Sequence, residues 1–464
     1  MIKLAVNPAV KPELDPGFVP AALWNKAYRA AVAAAPEKCD IVIALERSNG
    51  AVSTCRTAIL PHRGEAAALN LKYVERIVKF LLWMKGGYRV TIAGCDALAG
   101  ELAKIYSPVG ARAFDYDFMG DRVYGKPFEV VAVPLDKAPV SKEIQVQLGG
   151  HLDGCRIGFD LGGSDRKCAA VVDGKVVHTE EVVWDPYFQK DPAYHAAGIR
   201  DSIRRAAEKM PRVDAIGGSS AGVFVDNCPR VASLFRGLSR ADFDAKIVNL
   251  FREIQKEYDV PLIVANDGEV TALAGAMSMQ ATGVLGLSMG TSTAAGYVNL
   301  NGNITDWLNE LAFAPVDYRD DAPADEWSGD IGCGVQYFSQ QGVGRLAKLA
   351  GLEFPDDMPL PKRLEAVQAL MKQHDDRAAA IYRSIGVCFG YAVAHYCDFY
   401  EIRKLLILGR VTSGEGGEVI LAEARKVLEK EFPELAQQIE FRTPDEQFKR
   451  HGQAVIAASL PALK

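Results

Sequence analysis

The chain has 464 residues, 49% hydrophobic and 24% charged, an ordinary globular composition on a length that calls for two or three domains. A net charge of −6 gives no field to gather nucleic acid, and no run of eighteen apolar residues is present to span a membrane. The nine cysteines are scattered and never spaced CxxC, against a disulfide frame or zinc knuckle, and the start MIKLAVNPAVKPELDPG lacks a signal-peptide pattern, so a cytoplasmic location is expected.

In chain order, residues 40–45 and 52–60 are expected to form a hairpin at Asn49-Gly50, a pair that tolerates the positive φ of a two-residue turn. Residues 73–84 have helical spacing and stop at Gly86-Gly87, ahead of a strand at 88–93. Prolines and glycines in 135–154 mark a linker, which sets off residues 1–150 as an α/β domain. Strands at 156–159, 168–172 and 175–183 then form a meander. A helix at 194–209, a strand at 214–217, a helix at 243–257, a strand at 261–265 and a helix from Glu269 follow. This βββαβαβα order restarts at 284–287 with hairpins through 291–298. It continues with a helix at 378–398, a strand at 404–408, a helix at 418–429, a strand near 438–441 and a last helix after Glu446. Two like halves, about 155–280 and 281–464, would enclose a cleft suited to a ligand.

Three glycine-bearing turns carry the chemistry. In IGFDLGGSDRKCAAVVD, from Ile157 to Asp173, the glycines let backbone N–H groups approach an anion and Ser164 adds a donor. Asp160, taken as the only carboxylate in the core of that hairpin, can face a divalent cation. SMGTSTAAG, from Ser288, places glycine and hydroxyls between two strands at the start of the second half. LLILGRVTSGEGG, from Leu405, is a buried strand and a glycine turn opening a helix, where a base or ribose could lie. Each alone is also an ordinary turn or helix cap.

Together these segments resemble the sugar kinase, actin and chaperone ATPase superfamily, and within it the ROK family of sugar kinases and sugar-responsive repressors, over about residues 155–464. The resemblance implies duplicated actin-like, ribonuclease H-like α/β lobes with a central cleft, plus an extra N-terminal α/β domain. It implies ATP and Mg2+ as cofactors. DLGGS resembles DxGGT, which assigns the metal-side acid to Asp160 and a phosphate loop to Gly162, Gly163 and Ser164. GTSTAAG resembles GTGxGGG, which assigns phosphate contacts to Gly290, Thr291 and Ser292. GRVTSG resembles the adenosine motif, with Gly409 and Arg410. IVANDGEVTALAGA resembles NDANAAALGE, where the Asp is the catalytic base and the Asn a sugar ligand; these are Asp267 and Asn266. An Asn-Asp helix cap is the plainer reading of that pair. NELAFAPVD resembles GELGHMPVD, which makes Glu310 a sugar ligand and puts Phe313 in place of a histidine.

The departures are informative. GCGVQYFSQQG keeps Cys333 of the CxCGxxGC run but has Ile331 and Phe338 at other cysteine positions, and one thiolate cannot build a tetrahedral site, so no zinc is expected. ASLFRGLS lacks a hexose-binding Asn; Arg236 there either faces something acidic or is a solvated loop charge. The first third either caps the active site or makes a dimer, or is a decayed actin-like lobe. A fragment from about residue 140 onward is expected to fold alone. The expected activity is ATP- and Mg2+-dependent phosphorylation of a sugar or sugar-like hydroxyl, with a small-molecule sugar and ATP as partners, no nucleic acid and room for a homodimer. A non-catalytic sensor and a ROK-type transcriptional regulator are the alternatives; basic residues only slightly outnumber acidic ones before Gly150, and no helix-turn-helix pattern appears.

Overall fold

Alternating branched and small side chains make Cys39–Glu46 (β1) and Val52–Ile59 (β2) an antiparallel pair, in register from Cys39 opposite Ile59 to Glu46 opposite Val52. The connection is the five-residue loop 47–51, not the expected two-residue turn. Gly50 has φ +79, and the Asn49 side chain accepts from the Ala51 N–H at 3.0 Å. Arg47 explains the longer loop: it turns inward, buried, to Ser53 Oγ at 2.7 Å and Glu143 Oε2 at 2.8 Å. Arg89–Ala93 (β3) lies antiparallel to β1, and Glu129–Val133 (β4) parallel to β3, so the sheet order is β2-β1-β3-β4.

The helix expected at 73–84 runs over Glu65–Lys85. From Tyr73 to Met84 every side chain is buried, including Glu75, Arg76 and Lys79, so its surroundings must supply charge partners as well as apolar contacts. It ends at Gly86, φ +80, whose N–H reaches the Leu82 carbonyl. A helix at Ala21–Ala34, unannounced by the spacing, stacks Tyr28 on Tyr73 at 4.1 Å. The computed structural model describes residues 4–144, 148–443 and 452–463.

The expected βββαβαβα order is present after residue 154. Cys155–Leu161 (β5), Asp165–Val172 (β6) and Lys175–Val183 (β7) form the meander, and Ala215–Ser220 (β8) follows the helix Pro192–Ala207. A small hairpin, Val223–Val225 (β9) with Cys228–Val231 (β10), precedes the helices Arg240–Lys246 and Leu250–Tyr258, then Leu262–Asn266 (β11) and the helix Asp267–Met279. The sheet order is β11-β8-β5-β6-β7, with β5, β8 and β11 parallel. One face packs Phe159, Ile199, Ile203 and Phe251. On the other, a Cβ at Gly158 or Gly217 would strike the carbonyls of Ala454 and Ala457, so these glycines seat the last helix, Gly452–Ala458, directly on the strands. The start of the expected final helix, 446–451, lies outside the described residues.

Val284–Met289 (β12), Thr293–Val298 (β13), Lys404–Leu408 (β14) and Glu440–Arg442 (β15) form a second sheet, order β13-β12-β14-β15, accompanied by the helices Asp376–Tyr396 and Glu415–Glu431. The contacts divide the chain into two units. One runs to Ile144 and includes Leu287–Ala294 and Trp307–Phe441; the other runs from there to Gly286 and includes Ala295–Asp306 and the chain from Arg442. The first third therefore shares a unit with residues 307–441. The stretch 135–154 is not a plain linker: Glu143 binds Arg47, Ser53, Lys85 at 3.1 Å and the Trp307 indole N–H at 3.1 Å. Among the described residues no helix is long and apolar enough to cross a membrane.

Candidate functional site

In the unit carrying β5–β11, three parallel strands end side by side. Their register places Asp160 opposite Ser219, and Ser220 opposite Asn266, with Asp267 next in chain. The carboxyl ends of adjacent parallel strands are where open α/β sheets receive ligands. Asp160 is 7% exposed; burial, with the Asp267 charge adding to it, lifts its pKa to about 6 against the pull of Ser219 and Lys167. The register thus puts Asp160 and Asp267 at the same end of one sheet, with β8 between their strands. Burial also raises the Asp267 pKa, opposed by backbone N–H groups at Gly268 and at Asp267 itself.

The helix cap is real. Asn266 Oδ1 accepts from the Gly268 N–H at 2.8 Å while its Nδ2 donates to the Gly222 carbonyl at 2.8 Å, and Asp267 Oδ1 accepts from the same Gly268 N–H at 2.9 Å. The Asn266 amide is therefore fixed in orientation, and the cap presents Asp267 in the helix's first turn.

Gly162, Gly163 and Ser164 form the β5–β6 turn. The Gly162 N–H closes the hairpin onto the Asp165 carbonyl at 2.9 Å, and its own carbonyl accepts from the Trp184 indole at 2.7 Å. The Tyr187 hydroxyl stands where a Cβ on Gly163 would be. Ser164, exposed, donates to Asp165 Oδ2 at 2.9 Å. Asp160 is thus not the only carboxylate of this hairpin: Asp165, the first residue of β6, pairs with Lys167 at 3.3 Å. Lys167 lies directly opposite Asp160 in the β5–β6 register, and opposed residues share a face. Lys167 and Ser219 were missed as site residues. Register counted outward from the LGGS turn would have found Lys167, whereas Ser219 needs the parallel β5–β8 pairing. The Arg236 guanidinium lies 4.0 Å over the Tyr187 ring and 5.0 Å from Phe188.

The remaining predicted residues belong to the other unit. The Gly290 N–H closes the β12–β13 turn onto the Ser292 carbonyl at 2.9 Å, leaving Thr291 and Ser292 exposed. Gly409, φ +108, lies against the Met289 backbone so tightly that any Cβ would collide with it, which draws the Gly409-Arg410 turn up to the Gly290 loop. Thr412 and Ser413 hydroxyls return to the Gly409 carbonyl, Gln368 Nε2 holds the Arg410 carbonyl at 2.8 Å, and the exposed Arg410 side chain precedes the helix Glu415–Glu431. Glu310 is half-buried at the start of the turn Leu311–Phe313. The segment following it reaches the same hairpin: the Gln340 N–H bonds the Gly290 carbonyl at 2.9 Å, and the Thr293 hydroxyl the Phe338 carbonyl at 3.2 Å. Phe313 packs on Trp83 at 4.5 Å and Trp327 at 5.2 Å. Among the described residues no three ligand-type side chains gather as a metal cluster.

No protein-family model matches the chain, and no curated protein matches it. Among solved structures it is similar to a ROK hexokinase from Thermus thermophilus, TM-score 0.52 at 17% identity, over 66% of this chain and 96% of that one. It is also similar to a ROK family transcriptional regulator, a homologue of the E. coli MLC protein, TM-score 0.51 at 17% identity, over 67% of this chain and 79% of that one. Two thirds of the chain have the ROK fold. That share is the size of the stretch from Cys155 onward, on which the resemblance was drawn. About a third of the chain has no counterpart in the ROK hexokinase, and the ROK fold is common to an enzyme and a regulator.

Proposed function

We propose that the chain is an ATP- and Mg2+-dependent carbohydrate kinase that phosphorylates a hydroxyl of a sugar or sugar-like substrate. The observation that carries this reading is the placement of Asp160 and Asp267 at the carboxyl ends of the parallel strands β5 and β11, which flank β8, one acid held near 6 and the other raised by burial. A part-buried carboxylate with a raised pKa suits proton abstraction near neutrality, so Asp267 takes the acceptor proton as the acceptor oxygen bonds to the γ-phosphorus and ADP leaves.

Asp160 fits a magnesium ion, which takes one or two carboxylates and completes its shell with water and phosphate oxygens, rather than a protein cage of three ligands. When bound, the ion offsets charge on the triphosphate. In one unit Gly162, Gly163 and Ser164, with Lys167, are the phosphate-binding residues; in the other they are Gly290, Thr291 and Ser292, with the Gly409-Arg410 turn for the nucleoside. Glu310 and Asn266 orient the acceptor. The order β13-β12-β14-β15 repeats β6-β5-β8-β11, which supports a duplicated, actin-like pair of lobes.

The test is ATP-dependent phosphorylation of a carbohydrate panel, followed by kinetics of two variants. Asp267→Asn should lower kcat by roughly 10²-fold to 10⁴-fold with acceptor binding retained. Glu310→Gln should raise acceptor KM by an amount equivalent to about 1–3 kcal/mol while sparing ATP. Binding of sugar and nucleotide without turnover would favour a sensor. Salt-sensitive DNA binding would favour a regulator.

A further inference from the structure

The first third supplies no residue to the site described above, yet one of its helices holds the segment that carries Glu310 at both ends. At the near end, the Asn309 and Glu310 N–H groups bond the carbonyls of Met84 and Trp83 at 2.8 and 2.9 Å. These belong to the last turn of Glu65–Lys85, where helix carbonyls have no intrahelical partner. Asn309 keeps φ +53 to make the bond, and its side chain accepts from the Tyr400 hydroxyl at 2.9 Å. Phe313 then packs on the Trp83 ring.

At the far end, Asp330 enters a buried ionic network built on the same helix. Lys79, with no exposed surface, lies 3.0 Å from Asp330 and 2.9 Å from both oxygens of Asp115, which also accepts the Trp83 indole N–H at 2.7 Å. Arg112 binds Asp330 as well and reaches Glu75 at 2.6 Å. Arg76 pairs with Glu75 at 2.6 Å and stands 3.6 Å from Asp330. Three cations thus face three carboxylates, and five of the six side chains come from the first third. A buried, fully paired network has one good geometry and cannot slide as an apolar contact can.

We propose that the helix Glu65–Lys85 is the positioning element for the acceptor segment 309–330, with Lys79 its central positioning residue, so that the first third sets acceptor affinity without touching the acceptor. This rests on Glu310 being an acceptor ligand. A displacement of about 1 Å at a binding group can cost on the order of a hundredfold, so loosening the far anchor should register at Glu310.

The experiment compares full-length Lys79→Met, Lys79→Arg and the milder Asp330→Asn. Acceptor KM should rise by about tenfold to a hundredfold in Lys79→Met while ATP KM stays within about twofold, and Lys79→Arg should recover most of the loss. Equal changes in both constants, or none, would overturn the proposal. Hydrogen exchange on Asp330→Asn gives a readout free of activity: amides of 309–331 should lose protection by about tenfold with the rest of their unit unchanged. Loss spread evenly through the unit would reduce the helix to core packing and also overturn it. If Lys79→Met does not fold, Asp330→Asn carries both measurements. If no sugar is phosphorylated, the exchange result still decides whether the helix positions the segment, while the kinase reading fails separately.

Discussion

At Asp160, the burial that suits a carboxylate to a phosphate site is set against folding. Its pKa of about 6 lies above the ordinary 3.8, so the folded chain keeps a proton that the unfolded chain releases. Stability contributed by that proton is present below about pH 4 and is lost as pH rises to 6, about 3 kcal/mol in all. Asp160→Asn should therefore match the wild type in urea melts near pH 4, exceed its stability by about that amount above pH 6, and have no turnover at any pH. An equal gap at both pH values would show that burial of the charge is not the cause. Asp160 and Asp267 were legible separately in the sequence, the first at a strand end before a turn and the second between a strand end and a helix. Their placement at one end of the same sheet was not, because it arises from the β5–β8–β11 register, which no local pattern encodes. The Asn-Asp cap and the candidate base proved to be one feature, since the cap is what orients Asp267.

Among elements, the alternating strands and the helix ends at glycine were readable because periodicity and turn chemistry are local. The connections misled. Arg47 reads as a loop charge beside Asn49-Gly50, and only the chain returning with Glu143 makes burying it favourable. Glu143 is the hub of that connection. Burial alone would raise its pKa, but Lys85, the Ser53 hydroxyl, Arg47 and Trp307 outweigh burial and hold it at about 2, below the ordinary 4.5. Its contribution is fully present above pH 4.5 and is lost as pH falls toward 2. Glu143→Gln should lower stability by roughly 2–3 kcal/mol at neutral pH and flatten the acid limb of the melting profile between those values. An unchanged acid limb would place the acid sensitivity elsewhere.

For the whole molecule, composition fixed the class, the repeated βββαβαβα order indicated two like halves and the glycine-turn motifs carried the resemblance to the ROK family, but none of them revealed where the first third belongs. Residues 73–84 read as a helix, but no local pattern showed that Glu75, Arg76 and Lys79 within it would meet Arg112, Asp115 and, from far along the chain, Asp330. A fragment from residue 140 onward would bare Phe313, leave Asp330 without its cations and free the Asn309 and Glu310 N–H groups. It should be recovered aggregated or bind a hydrophobic dye strongly, and a monomeric fragment with a sharp thermal transition would contradict this. The same interdigitation has an opposite outcome when nothing is discarded. Because the first third is held to residues 307–441 by a helix end, an aromatic cluster and a network of six charges, five of them buried, continuity of the backbone after Ile144 is not what keeps it there. Two polypeptides divided at that point and made together should find one another, co-purify and melt as a single species, so that the chain behaves as a heterodimer that happens to be encoded in one piece.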